Sequence, residues 1–209
     1  MGNRNLLKSL VFVTATSFMV TGCGSDSSSN PGGFIGNLVD EAVEGVHWSC
    51  GSKSGVTNKS GNFGSCPDGS TITFKIGDVV LGTVHDTSDH IMTIQDLVGV
   101  PRSSFDDPKV TGVAAVLLSL DDDGNPSNGI SITSKAAKAF SDVTGNKQHL
   151  DFATLDVGKT IAEVSKKTQN HSLKVVTQNE ASAHLVQTNE SIKIGRIKSP
   201  TQPSDFATN

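Results

Sequence analysis

The run Leu120-Asp-Asp-Asp-Gly-Asn-Pro-Ser-Asn-Gly-Ile130 is the chain's densest collection of oxygen ligands. Asp121, Asp122, Asp123, Asn125 and Asn128 lie on a glycine-containing loop, the donor chemistry that Ca2+ prefers. The spacing is not that of an EF-hand. With Gly124 in the glycine slot, the first ligand would be Ser119 and the twelfth Ile130, where glutamate is needed. Asp and Asn also suit turn conformations, so the same residues read as a solvated interhelix turn. A weak Ca2+ site on Asp121, Asp123, Asn125 and Asn128 stays open beside that simpler reading. In a second group, His85, Asp86, Asp89, His90 and Asp96, three of the side chains would bind a metal if the loop folded inward. Its spacing matches no helical ligand pair, which favours a solvated loop.

Covalent chemistry finds less support. The chain has no G-x-S-x-G elbow and no HExxH, and the serine–lysine pairs near Ser49 and Ser131 have the wrong spacing. Its glycines mark turns and form no phosphate cradle. The chain therefore reads as a non-enzyme, with a hydrolase whose residues converge only on folding as a third-ranked alternative.

The first 22 residues carry an address. Arg4 and Lys8 precede the apolar run Leu10–Val20, and small residues follow, which is the layout of a secretory signal. The run is too short to span a bilayer as a helix, which needs roughly 20 apolar residues. The ending Val20-Thr-Gly-Cys23 resembles the lipobox of bacterial lipoproteins. That resemblance implies cleavage before Cys23, lipidation of its thiol and acylation of the new amine, so that the membrane is a partner through lipid. Gly24, where aspartate would favour inner-membrane retention, leans the sorting toward the outer membrane. Removing residues 1–22 leaves 15 of the 17 Lys and Arg against 21 acids, a net charge of −6. Without a basic run, nucleic acid is not an expected partner. One Trp and no Tyr argue against a sugar-stacking platform.

Cys50 and Cys66 are the cysteines that remain. In an exported protein such a pair is most simply a disulfide, worth about 3 kcal/mol by loop entropy. Free thiols stay open, as does a metal site, although His47 would be the third ligand and no fourth is evident.

Around these residues the expected organisation is a signal over 1–22, a flexible tether over 23–38, a β module over 39–85, a mainly helical half over 86–197 and a loose tail over 198–209. The tether rests on Gly24-Ser-Asp-Ser-Ser-Ser-Asn-Pro-Gly-Gly33, which has no large apolar side chain to bury. In the β module, Ile72, Phe74 and Ile76 alternate with Thr71, Thr73 and Lys75, the period of a strand with one buried face. Further strands are expected over Ala42–Ser49, Gly55–Asn58, Asn62–Ser65 and Val79–Leu81. Helical spacing predicts a helix capped by Asp106 running to Leu120, then Ser134–Val143 capped by Ser134, then Val157–Lys167 and Val175–Gln187. In the last, Val176, Ala183 and Val186 mark the packed face, and His184 reads as a packed or boundary side chain. The fold class is thus α+β: a small antiparallel β-sandwich-like module packed with about four short helices.

Val43-Glu-Gly-Val46, followed by Gly55-Val-Thr-Asn-Lys-Ser-Gly-Asn-Phe63, resembles the transthyretin-like or carboxypeptidase-regulatory-like modules of bacterial surface lipoproteins. Trp48 supplies the expected aromatic, and Asn58 stands where aspartate is usual. The segments Ile72–Gly82, Ile91–Leu97 and Leu117–Ile130 are similar to a module of large Gram-negative surface lipoproteins of the accessory-colonization-factor type. Long members of that type carry a separate zinc metalloprotease domain, whose activity does not carry over without HExxH. The resemblance implies a surface recognition or adhesion module that binds an unidentified protein or surface ligand. The alternative is a periplasm-facing accessory of a secretion, pilus or surface-exclusion system.

Overall fold

The computed structural model describes residues 33–200; the signal, Cys23, most of the tether and residues 201–209 lie outside them. The first element is β1 (Phe34–Val39), with all six residues buried. The tether therefore does not reach residue 38. Phe34, Ile35, Leu38 and Val39 have too much apolar surface to remain in water, and β1 is the middle strand of its sheet. It runs antiparallel to β5 (Asn62–Cys66) and parallel to β8 (Ile91–Thr93). A parallel neighbour requires a crossover, and the crossover here contains the rest of the β module.

That module is a four-stranded antiparallel sheet ordered β4-β3-β6-β7: β3 (His47–Cys50), β4 (Lys53–Val56), β6 (Thr71–Ile76) and β7 (Val79–His85). The alternation in β6 is as expected, with Ile72, Phe74 and Ile76 buried. Phe63 of β5 joins the two sheets, its ring 5.1 Å from Phe74 and 6.3 Å from Phe34, both edge-on. Cys50 on β3 and Cys66 on β5 form a disulfide, tying the two sheets together with Cα atoms 5.8 Å apart. A short parallel pair, β2 (Val43–Glu44) with β9 (Ile130–Ser131), links the module to the chain beyond the Asp-rich loop.

Five helices follow: α1 (Ile94–Val98), α2 (Pro108–Ser119), α3 (Ser134–Val143), α4 (Val157–Thr168) and α5 (Gln178–Lys193). The stretch between the β module and α2, placed by the sequence in the mainly helical half, folds into β8 and α1. Ten of the twelve residues of α2 are buried. A helix apolar on every side belongs at a core, and strand and helix side chains share one hydrophobic cluster.

Three local expectations move by a residue or more. Asp107, not Asp106, caps α2 by accepting from Lys109 N (2.9 Å) and Val110 N (3.1 Å). Thr133, not Ser134, caps α3. α5 begins at Gln178 because Thr177 and Glu180 form a capping box. This shift turns its packed face to Ala181, Leu185, Thr188 and Ser191, leaving Ala183 and Val186 exposed. Lys198 and Ser199, expected in the loose tail, have partners in the folded unit: Asn37 donates to Lys198 O (3.1 Å), and Ser199 Oγ donates to Asp89 O. Among the described residues, no helix is long and apolar enough to cross a membrane.

Candidate functional site

Strand alternation places one half of each strand, polar except for Val56 and Val80, on the outer face of the four-stranded sheet. Register sets these side chains in rows, Val56–His47–Lys75–Val80 and beside it Ser54–Ser49–Thr73–Thr83. Helix α3 rises at one end of this face as a wall. It approaches closely because Gly77 has no side chain; a Cβ there would lie 2.7 Å from that of Ser141. Ser141 Oγ then accepts from Asp78 N (3.1 Å) and lies 3.1 Å from Asn146 Oδ1. Sheet face and helix enclose an open cleft of about 800 Å3.

The cleft's electrostatics are uneven. Asp142 takes Lys138 and Lys167, each at 3.0 Å, and these hydrogen bonds hold its pKa below the ordinary aspartate value. Among the described residues, no ion pair engages Lys75, which stands in the middle of the sheet face. The indole of Trp48 lies under Gly55, with its buried Nε1–H lacking an acceptor. No hydrogen bond joins His47 to Ser49 or Ser54 among the described residues. Hydroxyls, an imidazole and an unpaired ammonium on a β surface are groups that hold a ligand by hydrogen bonds and charge.

The Asp-rich loop does converge. Asp121 Oδ2 and Asp123 Oδ1 both accept from Asn125 N at 2.8 Å, Asp121 Oδ1 accepts from Ser131 N at 2.9 Å, and Asp123 Oδ2 accepts from Asn128 Nδ2 at 2.9 Å. Burial pushes Asp121 above the ordinary aspartate pKa despite its two backbone bonds, whereas the Asn128 amide and Asn125 N–H lower that of Asp123. The oxygens a cation would use thus close the loop and hold β9 beside β2. Among the described residues, no group of three or more His, Cys, Asp or Glu is placed to hold a metal.

The second acidic group is divided among structural tasks. Arg102 binds Asp89 (2.6 Å) and Asp96 (2.9 Å), and donates to Ile91 O (2.5 Å). Burial alone would raise the pKa of Asp89; bonds from Arg102 and Ile91 N–H outweigh it and leave the carboxyl lowered. His90 pairs with Asp86 (2.8 Å) and stacks on Phe34, while His85 bonds to Thr71. The part of Arg102 is not legible in residue spacing, because the acids it gathers come from a loop and a helix cap.

His184 Nδ1 lies 2.8 Å from Oδ1 of the fully buried Asp40, which also accepts from Thr188 Oγ1 (3.3 Å). Burial lowers the His184 pKa, but the Asp40 hydrogen bond and charge outweigh it, and the net shift is upward. These partners stand 144 residues apart, so no local pattern announces them. Comparison of the chain with protein-family models, with curated proteins and with solved structures finds no match.

Proposed function

We propose that this chain is a lipid-anchored envelope protein that works by binding and carries no catalytic role. It is held in the outer membrane through acylated Cys23 and presents the cleft on the β4-β3-β6-β7 sheet as its recognition surface. The observation that carries the anchoring is the order of features: apolar run, Thr-Gly-Cys23, a Gly/Ser-rich stretch, then the first core strand at Phe34. A Gly/Ser-rich chain of ten residues has a root-mean-square span of roughly 16–19 Å, enough to hold a folded unit clear of lipid head groups. Several acyl chains on one residue make a stable anchor where a single chain does not. The resemblance over Val43–Phe63 to surface-lipoprotein modules supports the same assignment. Binding is supported by the cleft, whose Ser, Thr, His and unpaired Lys side chains suit a polar ligand such as an extended polypeptide.

Metabolic labelling with an alkyne-bearing palmitate analogue tests the anchor. The wild-type chain should take up label and sediment with membranes, and Cys23→Ala should do neither. Equal labelling of the two would refute lipidation at Cys23. A label-free, soluble wild-type chain would refute the anchor altogether.

A further inference from the structure

We propose that the free edge of the recognition sheet, at β4, takes up an added strand: an extended segment of a partner polypeptide with acidic side chains at alternate positions. The inference rests on the reading of this sheet as the binding surface, whose cleft is also lined by Ser54, Gly55 and Val56 of β4.

Hydrogen-bond parity determines which backbone groups β4 leaves open. Thr57 N donates to Val46 O (2.9 Å), and bonded pairs recur at every second residue of an antiparallel ladder. In the register of β3 with β4, the next bonded pairs are therefore Trp48 with Gly55 and Cys50 with Lys53. The N–H and C=O groups of Ser54 and Val56 point the other way, off the sheet. Among the described residues, none of these four groups has a partner. Ser54 is exposed and Val56 is 46% exposed, so the edge is open to solvent. The opposite edge is closed: Val80 N of β7 donates to Gln148 O (3.0 Å), and Gly82 packs against Leu97 of α1. An open row of donors and acceptors is a template for another strand.

The inner face of this edge indicates what the added strand carries. Lys53 and Gly55 are two residues apart and share that face, and Trp48 stands opposite Gly55. Lys53 is exposed and, among the described residues, has no ion pair or hydrogen bond. A Cβ on Gly55 would lie 3.0 Å from Trp48 Nε1, so the indole N–H sits at the edge strand, buried and without an acceptor. Two donors without acceptors on one face call for oxygen-bearing side chains two residues apart on the neighbouring strand, where cross-strand pairs meet. Carboxylates serve both donors and complement the charge of Lys53.

The probe is the fluorescein-labelled peptide Thr-Val-Glu-Val-Glu-Val-Thr, titrated by anisotropy into full-length protein in detergent. Paired with β4, its valine amides face Ser54 and Val56, and its glutamates face Lys53 and Trp48. Saturable binding is expected, with the single indole N–H resonance moving downfield. N-methylation of the valines should weaken binding about tenfold, and N-methylation of the glutamates should not. Val56→Pro, which removes an outward N–H and no ladder bond, should also weaken it about tenfold. Lys53→Glu should do the same, and a peptide with lysine in place of glutamate should restore binding to that variant. The proposal is overturned if the peptide does not bind, if valine N-methylation has no effect, or if folded Val56→Pro and Lys53→Glu bind like the wild type. Binding lost in Lys75→Gln but kept in Val56→Pro would overturn strand addition and leave the cleft reading standing. A dimer in sedimentation that Val56→Pro dissolves would overturn the proposal in favour of a second copy of this chain.

Discussion

Removing the bridge between the two sheets, by Cys50→Ala with Cys66→Ala, should cost stability without changing the fold. The disulfide closes a loop with a sequence separation of 16. The chain-entropy relation gives about 3 kcal/mol for such a loop, and two buried sulfur atoms lost with it bring the expected loss to about 3–5 kcal/mol. In a folded unit of this size that corresponds to a drop in melting temperature of roughly 6–20 °C. Trp48, the chain's sole tryptophan, lies two residues from Cys50 with its side chain buried, so its emission reports unfolding of the sheet directly. Urea unfolding of both proteins, followed at Trp48, should give a lower midpoint for the variant. The slope should be equal or slightly steeper, since the unfolded chain is freer to expand. A loss under about 1 kcal/mol would refute the reasoning: the aromatic cluster around Phe63 would then hold the sheets unaided, and the bridge would not restrain the unfolded chain.

Other expectations follow from the same contacts. The folded-state pKa of His184 is raised by Asp40, so their pairing adds stability below the unfolded value of about 6.5 and loses it as pH rises through the folded value. The stability gap between wild type and His184→Gln, from urea midpoints at pH 5.5 and 8.5, should therefore shrink with rising pH; a constant gap would contradict the pairing. Gly112→Ala would bring a Cβ to 2.0 Å from Phe152 O, so α2 must shift, at about 1–3 kcal/mol in denaturant unfolding. Asp121→Ala removes the acceptor of Ser131 N and one acceptor of Asn125 N, and should cost about 1–3 kcal/mol. Melting in EDTA and in millimolar CaCl2 should coincide, because the loop's oxygens already serve its own N–H groups; a rise with Ca2+ would show that the loop reorganises around a cation.

Legibility from sequence followed the range of each interaction. Period-two alternation in Thr71–Ile76 depends on residues two apart, and it located β6 and its buried face directly. The spacing within Ser134–Val143 located α3 residue for residue. β1 shows no such period: Phe-Ile-Gly-Asn-Leu-Val is buried on both faces, so a central strand looked like the end of a tether. The register of α5 was missed because Val175 and Val176 suggested an earlier start, while the Thr177–Glu180 box sets the true one. Site features were harder still. Asp40 with His184, and α3 with the sheet face, join residues from distant parts of the chain, and only the folded core brings them together.

The central claim, a lipid-anchored module that acts at the cell surface, is tested most directly by protease shaving of intact cells and a blot for this chain, with a periplasmic lipoprotein as control. The account predicts loss of this protein while the control survives. Protection until the outer membrane is broken would contradict surface display and turn the search for a ligand toward partners inside the envelope.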